Sequence, residues 1–457
     1  MQSINRFSVF TAVILLILFF TACKEEDLKP SAKVLEINEF IWKSMNDVYL
    51  WDDHIPQNID VNSEFDPEAY FTKLLFKPTD KWSYITDDYD GLINSFKGIE
   101  KSFGHEFKLF RASGSNSVYA IVKYTVPNSP AELAGIKRGD VFYQVNGVNL
   151  DLDNYYDLLF EKDSYTLSFG EFNQNGQLMF KGEKTLNAVE LTENPIHINK
   201  TLDIDGIRIG YLVYNRFITD FNDQLISAFN QFKSDQIQDL ILDFRYNPGG
   251  ARYSAVLLSS MLAPALAVEN KEIHSRTMWN ADVQQYWIDK EGEESPNLLT
   301  KFITPEVNLN LERVYILTTS NTASASELVI NCLNPYMEVI LVGEDHTSGK
   351  YVGSITVHDE ETSHGWALQP IVMKAANVNG ESDYGDGFAP HHIVGDDYDA
   401  ELGSLAENML ARTAELITGK TITDPARMAA SKIPKNLISM PNPRMEERQR
   451  LHFEISR

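Results

Sequence analysis

"RVYILTTSNTASASELVINCLNPYMEVILVG", residues 313–343, is the stretch on which the fold turns. Its two ends, "RVYILTT" and "EVILVG", are short and almost continuously apolar, as expected of strands covered on both faces. Between them "ASELVINCLNPY" carries its apolar residues at helical spacing. Strand, helix and strand in that order imply a right-handed crossover and two parallel neighbours in one sheet.

The same alternation extends upstream. "IRIGYLVY" (207–214) reads as a strand, and Phe221, Leu225, Phe229 and Phe232 line one face of a helix. "DLILDF" (239–244) is another buried strand, followed by "NPGG" and the helical "SAVLLSSML". An insertion rich in Trp, Asn and Glu, about 268–305, precedes the next strand. In sheets of this kind functional loops gather at the carboxyl ends of the strands. Both "NPGG" and "NTASAS" occupy such positions.

The flanking regions read differently. Residues 34–96 form a helical domain: Ile37, Phe40, Ile41 and Met45 keep 3.6-residue spacing, and Asp66-Pro67-Glu68 starts a second helix. Residues 97–188 are short strands and turns. There "VYAIVKYTV" meets "PNSPAELAGIKRGDVFYQVNG", with a helix ending at Gly135 and a hairpin signal at Asn146-Gly147. This run resembles a PDZ domain. The resemblance implies a carboxylate-binding loop near "SFGHEF", with Phe103 and Gly104 at its head, where a peptide would add a strand. The reading without a ligand is a small β-domain serving as a spacer. Residues 189–400 hold the α/β core. Residues 401–457 are a final helix and a charged, loose tail.

The first residues read as an export signal: Arg6, then "FSVFTAVILLILFF", then "FTAC". The apolar run is shorter than the roughly 20 residues a spanning helix needs. Its ending resembles the lipobox of bacterial lipoproteins, which implies a signal at 1–22, lipidation of Cys23 and a polar tether over 23–33. A signal anchor with an incidental cysteine is the plainer alternative. "KEED" after the cysteine also resembles a surface-export signal of some Bacteroidetes lipoproteins. A lipid-anchored protein of the cell envelope follows as the expectation.

With 65 acidic and 40 basic residues the formal net charge is −25, which sets nucleic acid aside as a partner. Only Cys23 and Cys332 are present, and an acylated Cys23 leaves no intrachain disulfide. Neither HExxH nor a spaced His/Cys cluster occurs, so no metal and no cofactor is expected. Oligomeric state cannot be read from these residues.

Ser324 and Ser326 both precede the helix. Ser326 with Glu327 suits helix-start chemistry, hydroxyl and carboxylate meeting free N–H groups. Ser324, just outside, would project over that end, where the N–H of Ala325 meets a developing oxyanion. Alone, the pattern describes a capped helix without chemistry. Gly249 or Gly250, which let bare backbone approach a ligand, could supply a second donor. No histidine sits in a partner motif: His391, His392 and His346 lie in polar or loop segments. Lys350, closing "GEDHTSGK", is the better base. A free lysine titrates near 10.4, so only about one in 2,500 is neutral at pH 7. Bringing it to roughly 7 requires about 4.6 kcal/mol of destabilisation of the cation, which burial can supply.

Together, "SPAELAGIKRGDV", "LILDFRYNPGG", "TASASELV" and "VGEDHTSGK", in that order, resemble the S41 family of C-terminal processing peptidases. With "DKWSYI" at 80–85 the likeness covers most of residues 34–400. It implies a multidomain α/β protein with a crotonase/ClpP-like core. It also implies Ser324 as nucleophile, Lys350 as base, and Ala325 with Gly249 or Gly250 as oxyanion donors. The function implied is a serine endopeptidase acting on exported polypeptides, its PDZ domain reading C-termini. Many members place an aspartate or glutamine in the helix after the nucleophile. Here that stretch is "CLNPYM", with Asn334 and Pro335, and the loop before Lys350 is one residue longer than usual. Two readings from other classes stay open: a catalytically weak envelope peptide-binding lipoprotein, and a crotonase-type acyl-thioester enzyme.

Overall fold

The computed structural model describes residues 29–451, apart from 174, 360–363, 426, 428–432 and 435. The expected signal at 1–22 and the expected lipidation site Cys23 lie outside the described residues. Helices α1 (Ala32–Val48), α2 (Pro67–Leu74) and α3 (Tyr89–Phe96) form the N-terminal region. Ser31, Asp66 and Asp88 cap them, each accepting a first-turn N–H. The region is not purely helical. Tyr84–Thr86 is a strand paired with Ala367–Gln369, and Val352, Leu368 and Ile371 join the cluster around Ile41, Tyr49 and Phe71. It is thereby packed onto the strand that follows Lys350.

The next region is a sheet with strands β1 (His105–Ala112), β2 (Val118–Thr125), β3 (Val141–Val145), β4 (Ser164–Phe172) and β5 (Leu178–Asn187). All neighbouring pairs are antiparallel. Asn146 and Gly147 carry φ of 52° and 78°, the left-handed pair that a two-residue hairpin demands. Helices α4 (Pro130–Leu133) and α5 (Tyr155–Phe160) complete it, over a core that includes Phe107, Phe142 and Leu167.

The central sheet runs β6 (Ile196–Ile204), β7 (Ile207–Tyr214), β8 (Asp239–Asp243), β9 (Arg313–Thr318), β10 (Glu338–Gly343) and β11 (His392–Ile393). Only β6 is antiparallel to its neighbour; every other pair is parallel. Alternation explains the apolar runs. Leu212, Leu240, Leu242, Val314 and Ile316 face one cluster with helices α6 (Asn222–Ser234), α7 (Arg252–Leu262) and α8 (Ala325–Leu333). Tyr211, Ile241, Tyr315 and Leu317 face the other, with Met409 and Leu410 of α9 (Asn408–Thr418). Both faces are covered, so almost every position must be apolar.

The tail departs from the loose segment expected. Leu437–Met440 is a strand, β12, paired antiparallel with β1, and Pro443–Leu451 is a helix, α10. Met440 packs on the core beneath β1, Arg444 pairs with the half-buried Glu100, and Arg448 pairs with the buried Glu106. Apolar packing and ion pairing hold a segment whose composition alone reads as solvated.

Candidate active site

The loops after β8 and β9 meet at the carboxyl end of the sheet. The N–H of Ala323 donates to Asn247 O at 3.1 Å, Thr322 Oγ1 to Phe244 O at 2.8 Å, and Thr319 Oγ1 to Arg245 O at 2.5 Å. These bonds lay "NTASAS" directly over "RYNPGG". Ser324 sits at φ 56°, ψ −113°, a left-handed conformation rare for a residue with a side chain. Strain of this kind costs about 1–3 kcal/mol and is held here by the surrounding bonds. It makes the turn between β9 and α8 sharp and sets Ser324 at its apex, where the residue is buried.

Ser324 and not Ser326 is the N-cap of α8. The Ser326 hydroxyl instead donates to Asn247 O at 3.2 Å, tying the helix start to the glycine loop. Glu327 does more than complement the helix dipole. Its Oε2 accepts the N–H groups of Ser324 (2.9 Å) and Lys350 (2.8 Å), and its Oε1 accepts Gly349 N–H and Thr347 Oγ1, both at 2.6 Å. One carboxylate oxygen therefore binds the backbone of both residues expected to react. Burial pushes this carboxyl up to about 7, against the four donated bonds that favour its ionised form.

Lys350 is 1 % exposed, and loss of hydration brings its amine down to about 7, with Asp80 and Glu327 pulling the other way. Asp80, in "DKWSYI", is itself buried and accepts from Tyr49 Oη, Trp82 N–H and Ser83 N–H. Ser348 N–H donates to Thr322 O at 2.9 Å, which anchors the lysine loop to the serine loop. Lys350 Nζ donates to the carbonyl of Gln449 at 2.5 Å.

Gly249 and Gly250 have φ of 108° and 138°. A Cβ on Gly249 would lie 2.7 Å from Ser324 Cβ, and one on Gly250 would lie 2.1 Å from Phe217 O. Asn247 Oδ1 accepts the Gly249 N–H at 2.9 Å. Among the described residues no acceptor meets the N–H of Gly250 or Ala325. Of the two glycines, Gly250 thus has the open donor.

Glu327 holds the lysine loop by its backbone and by Thr347. Asn334 caps the C-terminus of α8. His391 Nδ1 accepts from Leu341 N–H, and His346 is exposed beside Asp345. Cys332 is buried in α8 with its thiol pushed up to about 12, which leaves it unreactive. Among the described residues no cluster of His, Cys, Asp or Glu could hold a metal ion, and no helix is long and apolar enough to cross a membrane. In the β-domain, Phe103 stacks on Tyr165 at 3.8 Å and Gly104 turns at φ 79° into β1.

The model of peptidase family S41 matches residues 208–394, that of the peptidase S41 N-terminal domain 36–84, and a PDZ-domain model 121–162. A crystal structure from Bacteroides fragilis, of a protein assigned to the S41 proteases, superimposes with a TM-score of 0.69 at 29% identity. The match covers 84% of this chain and 98% of that one. A carboxyl-terminal-processing protease of Picosynechococcus is 25% identical over 234 residues, 49% of each chain. A CtpA-like serine protease of Staphylococcus haemolyticus is 24% identical over 58% of this chain and 47% of its own. The chain spans about half the length of these two relatives.

Proposed function

Because the chain belongs to peptidase family S41, we propose that it is a serine endopeptidase working through Ser324 and Lys350. The supporting observation is the shared Glu327 oxygen, which binds the N–H of both residues beside a buried amine brought down to about 7.

Neutral Lys350 Nζ takes the proton of Ser324 Oγ as that oxygen attacks a peptide carbonyl. The carbonyl oxygen becomes an oxyanion facing the N–H groups of Ala325 and Gly250, at the positive end of α8. Collapse of the tetrahedral species expels the amine, which leaves with the proton held on Lys350. Water then attacks the acyl-serine, giving its proton to Lys350, and as the acyl–oxygen bond breaks Lys350 returns that proton to Ser324 Oγ and the carboxylic acid product departs. Glu327 positions both residues without touching substrate.

The substrates we assign are polypeptides of the cell envelope, presented by a C-terminus bound at the PDZ edge near Phe103 and Gly104. Lipidation at Cys23 would hold the enzyme there, and Cys23→Ala should move it from the membrane to the soluble fraction. The central test is hydrolysis of an unfolded protein such as casein. Ser324→Ala and Lys350→Ala should each lower turnover by about 10²–10⁴-fold while the protein stays folded, as judged by circular dichroism. Wild-type turnover in either variant would end the assignment. A chelator should leave the rate untouched.

A further inference from the structure

The tail joins the two places where a peptide would bind. β12 lies antiparallel on β1, with Leu437 opposite Ala112 and Met440 opposite Leu109. That is the edge where a ligand strand is expected to add. Asn442 Nδ2 then donates to Phe107 O at 2.9 Å, and α10 crosses to the central sheet. At its far end Gln449 O accepts from Lys350 Nζ, and Gln449 Nε2 donates to Ser320 O at 3.1 Å, in the loop that carries Ser324. Ser324 and Lys350 are each 1 % exposed.

The crossing is held by charge. Arg444 and Arg448, one helical turn apart, both reach Glu100 Oε2 at 2.9 Å, and Arg448 also reaches Glu106 Oε1 at 2.9 Å. Arg216 of the core completes the group on Glu100 Oε1. Burial opposes the charge on Glu100, yet Arg448, Arg216 and Arg444 hold it well below the usual carboxylate range. The tail is thus built into a charged seam between the two regions.

We propose that residues 437–451 are an autoinhibitory strap, which a polypeptide adding its own C-terminal strand to β1 displaces, uncovering Lys350 and Ser324. The inference rests on the dyad reading given above. Residues 443–451 are helical, so this part of the chain is not extended across the nucleophile, and the last-turn carbonyl of Gln449 is free to accept from Lys350 Nζ. This segment covers the site without being cut. The strap also leaves a foothold: a cavity of about 660 Å³ remains beside β1, lined by Phe103, Leu159 and Tyr165 together with the charged Lys101, Lys162 and Arg444. An apolar terminal side chain of an incoming peptide fits there before β12 leaves.

The experiment compares three forms of the protein: the full chain, a chain ending at Thr423, and the full chain with Arg444→Ala and Arg448→Ala. Casein turnover is one readout. The other is anisotropy of a fluorescein-labelled peptide with an apolar, free C-terminus, measured in a Ser324→Ala background. A strap closed about nine-tenths of the time lowers apparent affinity about tenfold. Truncation should therefore raise both turnover and peptide affinity by about tenfold or more, with the double variant in between. A synthetic peptide spanning 433–451 should inhibit the truncated chain. Tighter peptide binding without any turnover would uphold the strap and defeat the peptidase reading. Equal turnover and equal affinity in the full chain and the double variant, or in a folded truncated chain, would overturn the strap.

Discussion

At the scale of single residues the site stores cost. Ser324 is held at positive φ, so Ser324→Gly should abolish hydrolysis and yet raise the free energy of unfolding by about 1 kcal/mol, measured by urea denaturation. Lys350 has a folded pKa of about 7 against about 10.4 unfolded. Between those values the unfolded chain binds the extra proton, so stability rises with pH across that window and the penalty is largest below 7. Lys350→Met should then stabilise the protein near neutrality by about 1–3 kcal/mol, since part of the roughly 4 kcal/mol penalty is offset by lost hydrogen bonding. Turnover in the native enzyme should climb through pH 7 as the amine loses its proton, and a flat profile between pH 6 and 8 would exclude a titrating base. Glu327→Gln sets an NH₂ group against N–H donors on one side of the side chain. It should depress kcat about 10²-fold or more with little change in KM, and shift the pH midpoint, which a purely structural residue would not do. Ser324 and Lys350 stand out as candidates because each belongs to a recognisable short pattern, "TASASELV" and "GEDHTSGK". The work of Glu327 does not stand out: three of its four donors come from residues 347, 349 and 350, and no local pattern announces them.

At the scale of elements, alternation made the central strands readable, since a strand covered on both faces has few options. Asn146-Gly147 gave the hairpin for a similar reason, as few other pairs accept its dihedral angles. The glycine loop follows the same logic. Gly249→Ala forces a Cβ to within 2.7 Å of Ser324 Cβ at a φ of 108°. Hydrolysis should fall to background, with a loss of stability of about 1–3 kcal/mol by denaturant titration. β12 was out of reach of the sequence. It is four residues long, its partner β1 lies more than three hundred positions earlier, and "NLISM" among charged and proline residues offers almost no period to read. The strand within the N-terminal region was hidden in the same way, being three residues defined only by a distant partner.

Over the whole molecule, a buried ionic network fixes the β-domain to the core. Arg138, from the turn "GIKRGD", donates to Asp396 Oδ1, Tyr246 Oη and Lys123 O. Asp396 also accepts from Arg245, which in turn meets Asp243 and Glu407. Removing one partner leaves uncompensated buried charge, so Arg138→Ala should cost about 3–5 kcal/mol, read from chemical denaturation. A cost below about 1 kcal/mol would mean that the network contributes little to the junction. The order of the chain adds a consequence of its own. Residues 437–451 leave the ribosome after 324 and 350, so on the proposal made above the Ser324–Lys350 pair can form before the segment that covers it. A message broken shortly before codon 437 would give a protein that has never been restrained, and its toxicity to the producing cell would depend on an intact Ser324.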